Sequence, residues 1–574
     1  MHSFVHPDVQ NYPRSSPCPD FRRRRAPALV LAAACGGLFL LYLFQSRTAP
    51  FNSDGAANVL QARAIIGGNP LLRGWWTSDV SFYTTELPEY ALVTAIRGVT
   101  PDVVHLCGAL TYTLTVLLAV LVAKGSAGGR GTGWRGAGGR RAAVAAAIML
   151  APSLLGGTEV FLENPDHAGT AVPVLVLLLM LDRAGQRRYL PWAVVPLLTL
   201  AGIGDELTLV VATVPLAAVC TARVIGGRRR EQDRRYERRR DAALVASAAV
   251  SAGLARAAGL ALRAGGGFDL RPLAGVALAP LRTVPANANG LWQSLVLLFG
   301  ANQPGPPHQA QTVAAHPVLV SLAALHVIGL VAAGAGLAAG IAAVAARRAD
   351  RVTAVLVTAV LALIAAGLFS TVLRSLSNAH EVALLLPFGA ALAGRTLTVL
   401  PAPARPAVSA RTVVPAGTVV ATALACWCAV GLAGLGYAAS WPAAPPAQQA
   451  VAAWLASQHQ DEGLAGYWQA TATTVASGGR VVVAPIVLAA AGQAGATAEA
   501  DRWESSAAWY QRGQRATFVI AVTSPTAGGG LPAAEVRARF GPPAAQHRIG
   551  QDVIMLYRYN LLARLGGTSF PGPG

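Results

Sequence analysis

The sequence predicts a mainly α-helical, polytopic membrane protein with about eleven transmembrane helices and a small C-terminal α/β domain. Composition is the first reason: 53% of the 574 residues are hydrophobic, 13% are charged, and the mean hydropathy is +0.46. The second is that many apolar runs approach the roughly 20 residues that cross a bilayer as a helix. The third is that arginine-rich loops separate these runs, as the positive-inside rule requires of cytoplasmic loops.

The N-terminal half is predicted to hold seven spans. Residues 1–26 form a cytoplasmic tail, because they end in the basic run 22–25 directly before the first apolar run. The loop 223–241 carries nine arginines and marks the same side of the membrane. The predicted spans are 27–45, 103–123, 142–157, 169–181, one on each side of 204–208, and 242–263.

Four further spans complete a predicted transmembrane domain over 27–438. These spans are 317–345, 352–372, 380–398 and 412–437. Two long outer loops interrupt the series: 46–88, in which 56–66 has the period of an interfacial helix, and 264–316, which is too rich in Pro and Gly to cross. Because the number of spans is odd, we expect the chain after span eleven to lie outside the cell.

The segment 439–574, called the tail from here on, is predicted to be an extracytoplasmic soluble domain, because its apolar runs shorten to the length of strands. Helical stretches alternate with these runs, as is typical of an α/β domain. Strands are predicted at 481–486, 517–522 and 553–557, and helices at 446–458, 499–511 and 532–539.

Charge and motifs exclude several classes of protein. The net charge of +19 comes from arginine in short loops between spans, so topology explains it and no nucleic-acid partner is predicted. The six cysteines show neither metal-ligand spacing nor a disulfide framework. No nucleotide-binding or zinc-protease motif occurs. We therefore expect no cofactor, and no ligand cluster indicates a divalent metal.

Acidic residues gather at span ends on the face opposite the arginine loops. A carboxylate at a lipid boundary costs free energy unless it is paired, hydrated or used in function. A row of carboxylates on one face therefore predicts a cavity that opens to the outer side. These residues are Asp54, Glu163, Asp166, Asp205, Glu206 and Glu381.

Asp54 and Asp166 are the candidate catalytic acids, and each has a structural alternative. Asp54 precedes a glycine, a pair that is common in turns and helix caps. Asp166 suits the N-cap of span four, where a carboxylate satisfies free backbone N–H groups. Glu163 and His167 lie beside Asp166 as candidate binding residues.

Arginine supplies the candidates for binding an anionic ligand. Arg374 lies at the outer end of span nine, where its guanidinium group suits a lipid phosphate or simply snorkels to the interface. His380 and Glu381 follow it at the start of span ten, as candidate donor-binding residues. Arg271 and Arg282, in the second long outer loop, are secondary candidates.

Several features of the outer loops and the tail occur together. The first outer loop contains Asp54, then IIGGNPLLRGW at 65–75 and a proline, Pro88, before span two. Asp166 lies in the next outer loop, and the tail contains GYWQATATTVASGGRVVVAPI at 466–486. This set resembles the integral-membrane glycosyltransferases of the GT-C fold that use polyprenyl-phosphate-linked sugars, the superfamily of protein O-mannosyltransferase-like and aminoarabinose-transferase-like enzymes.

The resemblance implies a multi-pass enzyme of the bacterial cell membrane. Such an enzyme transfers a hexosyl or pentosyl group from polyprenyl phosphate to a hydroxyl group of an extracytoplasmic glycan, lipid or protein, with inversion at the sugar carbon. It implies that Asp54 is the general base, that Asp166 orients acceptor or donor, and that Arg374 binds the donor phosphate.

Two other readings of the sequence stay open. A transporter or flippase of a lipid-linked substrate would bind the same ligand without making a bond, and it would carry broken helices at mid-membrane in two related halves. A non-catalytic assembly protein would use its outer tail to bind a partner, and replacing Asp54 would leave that binding intact.

Overall fold

The structure is a computed structural model of the chain. Within the ranges that it describes, the chain is mainly helical, and most strands lie near the C-terminal end. The described residues are 21–126, 136–154, 156–163, 167–184, 187–226, 231–270, 277–301, 317–371, 376–397, 416–488, 498–511, 513–524 and 530–566.

The helices of the N-terminal half follow the apolar runs of the sequence. They are α1 (Phe21–Ser46), α2 (Ser53–Ile66), α3 (Leu87–Arg97), α4 (Asp102–Lys124), α5 (Ala137–Met149), α6 (Ala171–Arg183), α7 (Leu190–Gly204), α8 (Val214–Gly226) and α9 (Glu231–Ala264). Two π-helical turns, Glu159–Glu163 and Leu209–Thr213, come shortly before α6 and directly before α8.

The C-terminal half adds five further helices of the membrane part and three helices of the tail. They are α10 (Val284–Leu298), α11 (Pro317–Ala345), α12 (Arg351–Phe369), α13 (Leu385–Leu397), α14 (Ala416–Ala439), α15 (Gln449–Ser457), α16 (Tyr467–Ala476) and α17 (Ala533–Phe540). Asp350 is the N-cap of α12, and its side chain accepts a hydrogen bond of 2.7 Å from the Thr353 N–H.

Seven of the described helices are long and apolar enough to cross a membrane. They lie at Leu29–Ser46, Asp102–Lys124, Leu209–Gly226, Arg235–Ala264, Val320–Ala345, Arg351–Phe369 and Thr418–Ala439. The predicted number of eleven is not confirmed, because the predicted spans at α5, α6, α7 and α13 are helices of only 13 to 15 residues. At about 1.5 Å per residue such helices are shorter than the roughly 30 Å hydrocarbon core.

Buried ion pairs join the arginine-bearing ends of the spans into what we call the arginine face. Arg395, at the end of α13, is 4% exposed and pairs with Asp350 at 2.6 Å and with Asp182 at 3.3 Å. It also donates to the Val122 carbonyl oxygen at 2.7 Å. A buried charge is tolerated only when such partners satisfy it, so these contacts hold the ends of α4, α6, α12 and α13 together.

The tail is built on a mixed sheet, as the alternating pattern predicts. Its seven described strands run in the order β10-β5-β4-β3-β7-β9-β8, with β3 parallel to both β4 and β7. All strands are numbered in chain order, and β1, β2 and β6 belong to a second sheet. The seven strands of the tail sheet are β3 (Glu462–Ala465), β4 (Val482–Leu488), β5 (Ala498–Ala500), β7 (Phe518–Val522), β8 (Ala545–Ile549), β9 (Asp552–Leu556) and β10 (Leu565–Gly566). The three predicted strands correspond to β4, β7 and β9.

A second, small sheet joins the tail to the membrane part. Its described strands are β1 (Trp75–Thr77), β2 (Asp269–Leu270) and β6 (Ser505–Ser506), in the order β2-β1-β6. Thus each of the two long loops that are predicted to lie outside, 46–88 and 264–316, contributes a strand, and the tail contributes the third. The end of the bundle that carries this sheet is called the cavity face below.

Two local predictions are wrong. Residues 499–511 form the end of β5, then β6 and a 3₁₀ turn (Ala507–Tyr510) instead of a helix, because pairing with β1 overrides their helical period. The helix predicted at 56–66 exists as α2 but is not interfacial. Residues 53–62 are buried, because α2 packs against α3, α4 and the tail helix α16.

Replacing Arg395 with alanine is expected to destabilise the protein by about 3–5 kcal/mol, because Asp182 would stay buried without its partner. Thermal unfolding of the purified protein in detergent measures the change. The matched control is Arg348→Ala, which removes an exposed arginine from the same face. Equal stability of the two variants would contradict a structural role for the Arg395 ion pairs.

Candidate active site

A cavity of about 1150 Å³ lies at the cavity face, between the ends of the membrane helices and the tail. Its polar wall includes Asp79, His167, Asp205, Glu206, Arg256, Arg263, Asp269, Glu381, Glu499, Asp501 and Arg502. Its apolar wall includes Val80, Leu207, Leu209, Val210, Leu363, Ala366 and Val382. The cavity therefore combines acidic groups, arginines and an apolar surface that continues into two membrane-crossing helices.

His167 is part of the polar wall and lies between two carboxylates. Its Nδ1 is 2.8 Å from Asp205 Oδ2, and its Nε2 is 3.0 Å from Glu381 Oε2. Asp205 also accepts hydrogen bonds from the Thr170 hydroxyl and from the Leu207 N–H. Because both ring nitrogens face acceptors, the arrangement suits the doubly protonated, charged imidazolium ring.

The two carboxylates control the charge of His167. Burial alone lowers the pKa of His167, but the charges and hydrogen bonds of Asp205 and Glu381 outweigh burial and raise it well above its ordinary value. Burial raises the pKa of Asp205, and the interactions with His167 outweigh it and hold that pKa below its ordinary range. The cluster is therefore ionised at neutral pH.

His380 extends this cluster and is influenced by the charge of Asp54. Its ring stacks on that of His167, with the centroids 6.3 Å apart, and its Nε2 is 3.7 Å from Glu381 Oε1. Burial lowers the pKa of His380, and the charges of Glu381, Asp54 and Asp79 oppose this shift without cancelling it. Asp54 thus lies within electrostatic range of the cavity, although it is not one of the residues that line it.

Asp54 is in the first turn of α2, but it is not the cap of that helix. Asn52 is the N-cap, and its side-chain oxygen accepts from the Gly55 N–H at 2.9 Å. Glycine at position 55 allows close packing, because a Cβ there would lie 2.5 Å from Val104 Cγ1 and would force one of the two to move. The Asp54 carboxylate is 9% exposed and accepts a hydrogen bond of 2.6 Å from the Tyr467 hydroxyl of the tail. The capping alternative for Asp54 is therefore excluded.

The other predicted site residues are spread more widely. Glu163 ends the first π-helical turn and is buried, and burial, reinforced by Glu159, raises its pKa well above the ordinary value. Arg282 is exposed in a short 3₁₀ turn and does not line the cavity. Asp166, Arg271 and Arg374 lie outside the described residues, so their roles stay predictions.

Arg256 is the main residue that the sequence reasoning missed. It lies in the membrane-crossing part of α9, eight residues or about 12 Å before the end of the helix, and it lines the cavity. It makes no ion pair with any residue that the structure describes. The signal was present in the sequence, because an arginine inside the apolar run 242–263 marks a functional site by default.

Glu86 and Glu89 are further buried carboxyl groups near the cavity. Burial, with a smaller contribution from the charge of Asp205, raises the pKa of Glu86 to about 8, and burial raises that of Glu89 to about 7. Glu86 packs closely against Gly169, where a Cβ would lie 1.9 Å from the Glu86 Oε1 atom. No group of three or more His, Cys, Asp or Glu residues within the described ranges is arranged to hold a metal ion.

No family model and no curated protein matches the chain. The structure is similar to the archaeal oligosaccharyltransferase AglB from Archaeoglobus fulgidus in complex with an inhibitory peptide and a dolichol-phosphate, with 12% identity and a TM-score of 0.44 over 85% of this chain and 69% of that chain.

The Archaeoglobus fulgidus oligosaccharyltransferase in its apo form is similar to a comparable degree. Its identity is 13% and its TM-score 0.43, over 80% of this chain and 65% of that chain. TM-scores of this size carry no argument about fold or function.

Replacing His167 with asparagine is expected to remove a pH-dependent part of the stability. Because the pKa of His167 is raised in the folded protein, its pairing stabilises fully below the unfolded value of 6.5 and is lost as pH rises through the raised pKa. The difference in melting temperature between parent and His167→Asn should therefore be largest near about pH 6, below the unfolded pKa, and should narrow as the pH is raised through the elevated pKa of the folded protein.

The control for this experiment is His547→Asn, which changes an exposed histidine of β8. Thermal unfolding across the same pH range should show no comparable narrowing for this variant. Parallel melting curves for the parent and His167→Asn would contradict the assignment of a charged, paired His167.

Proposed function

We propose that the protein is a membrane glycosyltransferase that moves a sugar from a polyprenyl-phosphate donor to a hydroxyl group of an extracytoplasmic acceptor. The observation that carries this proposal is the cavity, in which carboxylates, arginines and an apolar wall meet at the ends of membrane-crossing helices. A ligand that unites a sugar, a phosphate and a prenyl chain needs these three kinds of surface.

The apolar wall and Arg256 support a lipid-linked donor. Leu209 and Leu363 belong to membrane-crossing helices, so a prenyl chain in contact with them would continue into the bilayer. Arg256 and Arg263 are seven residues apart on α9, which places them on the same face about two turns apart. Guanidinium groups bind phosphate oxygens in a bidentate manner, so this pair suits the phosphate of the donor.

The transfer step needs a base and a stabilised leaving group. The bond between the sugar carbon and the phosphate oxygen breaks, and its electron pair leaves with the phosphate. The acceptor oxygen forms the new bond from the opposite face, which inverts the sugar carbon, and its proton passes to the carboxylate of Asp54. Positive charge near the phosphate stabilises the leaving group.

The remaining roles follow the sequence predictions. Asp166 orients acceptor or donor, and Arg374, with Arg271, adds positive charge for the phosphate. The acceptor is a glycan, a lipid or a protein. The arginine face carries the groups that the positive-inside rule keeps in the cytoplasm, which supports an N-terminus inside and a cavity and tail outside, in a bacterial cell membrane.

Replacing Asp54 with asparagine is expected to lower the rate of sugar transfer by about 10²–10⁴-fold, the usual effect of losing a general base. The substitution is nearly isosteric, so the variant should insert and purify like the parent. Transfer is measured with a panel of polyprenyl-phosphate-linked sugars, using the sugar on which the parent is most active. Substantial transfer by a well-folded Asp54→Asn variant would refute the assignment and move it to Asp166 or Glu163.

Replacing Arg256 with glutamine is expected to weaken the binding of polyprenyl phosphate by about 1.5–3 kcal/mol, because a charge-assisted contact is lost. Arg256→Lys should restore only part of the binding, since the bidentate geometry is missing. Native mass spectrometry of the protein in nanodiscs measures the bound lipid.

Arg348→Gln, on the arginine face, is the matched control for Arg256→Gln. Unchanged binding in the Arg256 variant would show that this arginine only snorkels. If Arg256→Gln loses the binding of polyprenyl phosphate but the parent protein transfers no sugar, the flippase alternative is favoured.

A further inference from the structure

The tail reaches the proposed base through the first turn of α16. The Ser53 hydroxyl donates to the Trp468 carbonyl oxygen at 2.7 Å, and the Thr471 hydroxyl donates to the Ser53 carbonyl oxygen at 3.1 Å. Ser53 and Thr471 are both buried. These contacts fix the start of α16 against the start of α2, which carries Asp54.

Tyr467 places its hydroxyl group between two carboxyl groups. Its oxygen is 2.6 Å from Asp54 Oδ1 and 2.6 Å from Glu504 Oε2. Burial, together with both carboxylates, raises the pKa of Tyr467 well above its ordinary value, so the hydroxyl group keeps its proton. A phenol has one proton to donate, so it serves one carboxylate at a time unless the other carboxyl group is protonated.

Glu504 is held in an unusual backbone conformation. Its φ angle is +44°, in the left-handed region that non-glycine residues seldom adopt, and the residue is 1% exposed. It directly precedes β6, whose residues Ser505 and Ser506 pair with Trp76 and Trp75 of the first outer loop. Strain of this kind persists only where the surrounding structure imposes it, and it concentrates at functional sites.

We propose that Tyr467 is a positioning residue for Asp54 and that Glu504 is its second hydrogen-bond acceptor, so that the tail completes the active site. This inference rests on the proposed role of Asp54 as the base. While Asp54 is ionised, the Tyr467 hydroxyl donates to it and fixes its orientation. After Asp54 has taken the acceptor proton, its carboxyl group donates to the Tyr467 oxygen, and the Tyr467 proton turns to Glu504.

This exchange keeps Asp54 hydrogen-bonded to Tyr467 in both of its protonation states, and it gives the Tyr467 proton an acceptor in each of them. A buried polar group that loses its partner is costly, and the second acceptor avoids that cost at the moment of proton transfer. The exchange also explains why the carboxyl groups of Asp54 and Glu504, from distant parts of the chain, both approach the hydroxyl group of Tyr467. The tail is then part of the catalytic machinery rather than a separate binding module.

The experiment compares Tyr467→Phe with Tyr557→Phe in the full-length protein. Tyr557 is a buried tail tyrosine whose hydroxyl donates to the Gly541 carbonyl oxygen at 3.3 Å, away from the cavity. Tyr467→Phe should lower kcat about 10- to 100-fold, because the base is no longer held in place, and leave the KM for the lipid-linked sugar unchanged. Tyr557→Phe should leave both constants unchanged.

Thermal unfolding separates positioning from folding. Tyr467→Phe should unfold within a few degrees of Tyr557→Phe, so that a loss of kcat cannot be a loss of folded protein. Glu504→Met removes the second acceptor at similar side-chain length and should also lower kcat at unchanged KM, which decides the question if Tyr467→Phe fails to fold. Parent-like kcat in folded Tyr467→Phe, or in Glu504→Met where only that variant folds, would overturn the inference.

Asp54→Asn, measured alongside, distinguishes the two proposals. An inactive Asp54→Asn with a fully active Tyr467→Phe leaves the proposed function intact and removes only the role of the tail. An active Asp54→Asn removes the proposed base and, with it, the role of Tyr467.

Discussion

The ion pairs of His167 with Asp205 and Glu381 join three parts of the chain at the cavity face. His167 lies just before α6, Asp205 follows α7, and Glu381 lies in the turn before α13. An apolar helix in a bilayer can slide or rotate against its neighbours at little cost, because lipid tails are as apolar as its side chains. A charged ring between the buried carboxylate of Asp205 and the carboxylate of Glu381, which is 13% exposed, has one low-energy arrangement, so it sets the relative depth of these helix ends.

The short helices help to form the cavity. α6, α7 and α13 have 13 to 15 residues, and each has one end at the His167 cluster, so the space beyond these ends becomes cavity instead of hydrocarbon. The arginine face anchors the opposite ends of α6 and α13 through Arg395. Ion pairs at both ends thus fix helices that are too short to be positioned by the thickness of the bilayer.

The small β2-β1-β6 sheet and the α2–α16 contact show how a soluble domain is fixed to a membrane bundle. Apolar burial alone would leave the tail free to take several orientations over the cavity. Hydrogen bonds from Ser53 and Thr471, and strand pairing of Trp75 with Ser506, are directional and allow one orientation. These contacts therefore also position the tail residues that line the cavity, including Asp501 and Arg502.

Hydropathy and charge pattern were sufficient to predict the helical part, the arginine-bearing helix ends, the C-terminal sheet and the acids Asp205, Glu206 and Glu381, which line one cavity. These features are local, since each depends on the composition of a run of about 20 residues. The number of full spans, the path of 499–511 and the burial of α2 depend on packing between distant segments, and the local pattern could not decide them. Likewise, the sequence identified His167, Glu381 and Asp54 singly, but only the tertiary structure decided that His167 pairs with Asp205 and that a tail tyrosine binds Asp54. Partners 38 and 413 residues apart leave no periodic signal, because side-chain pairing depends on where the helices meet in space.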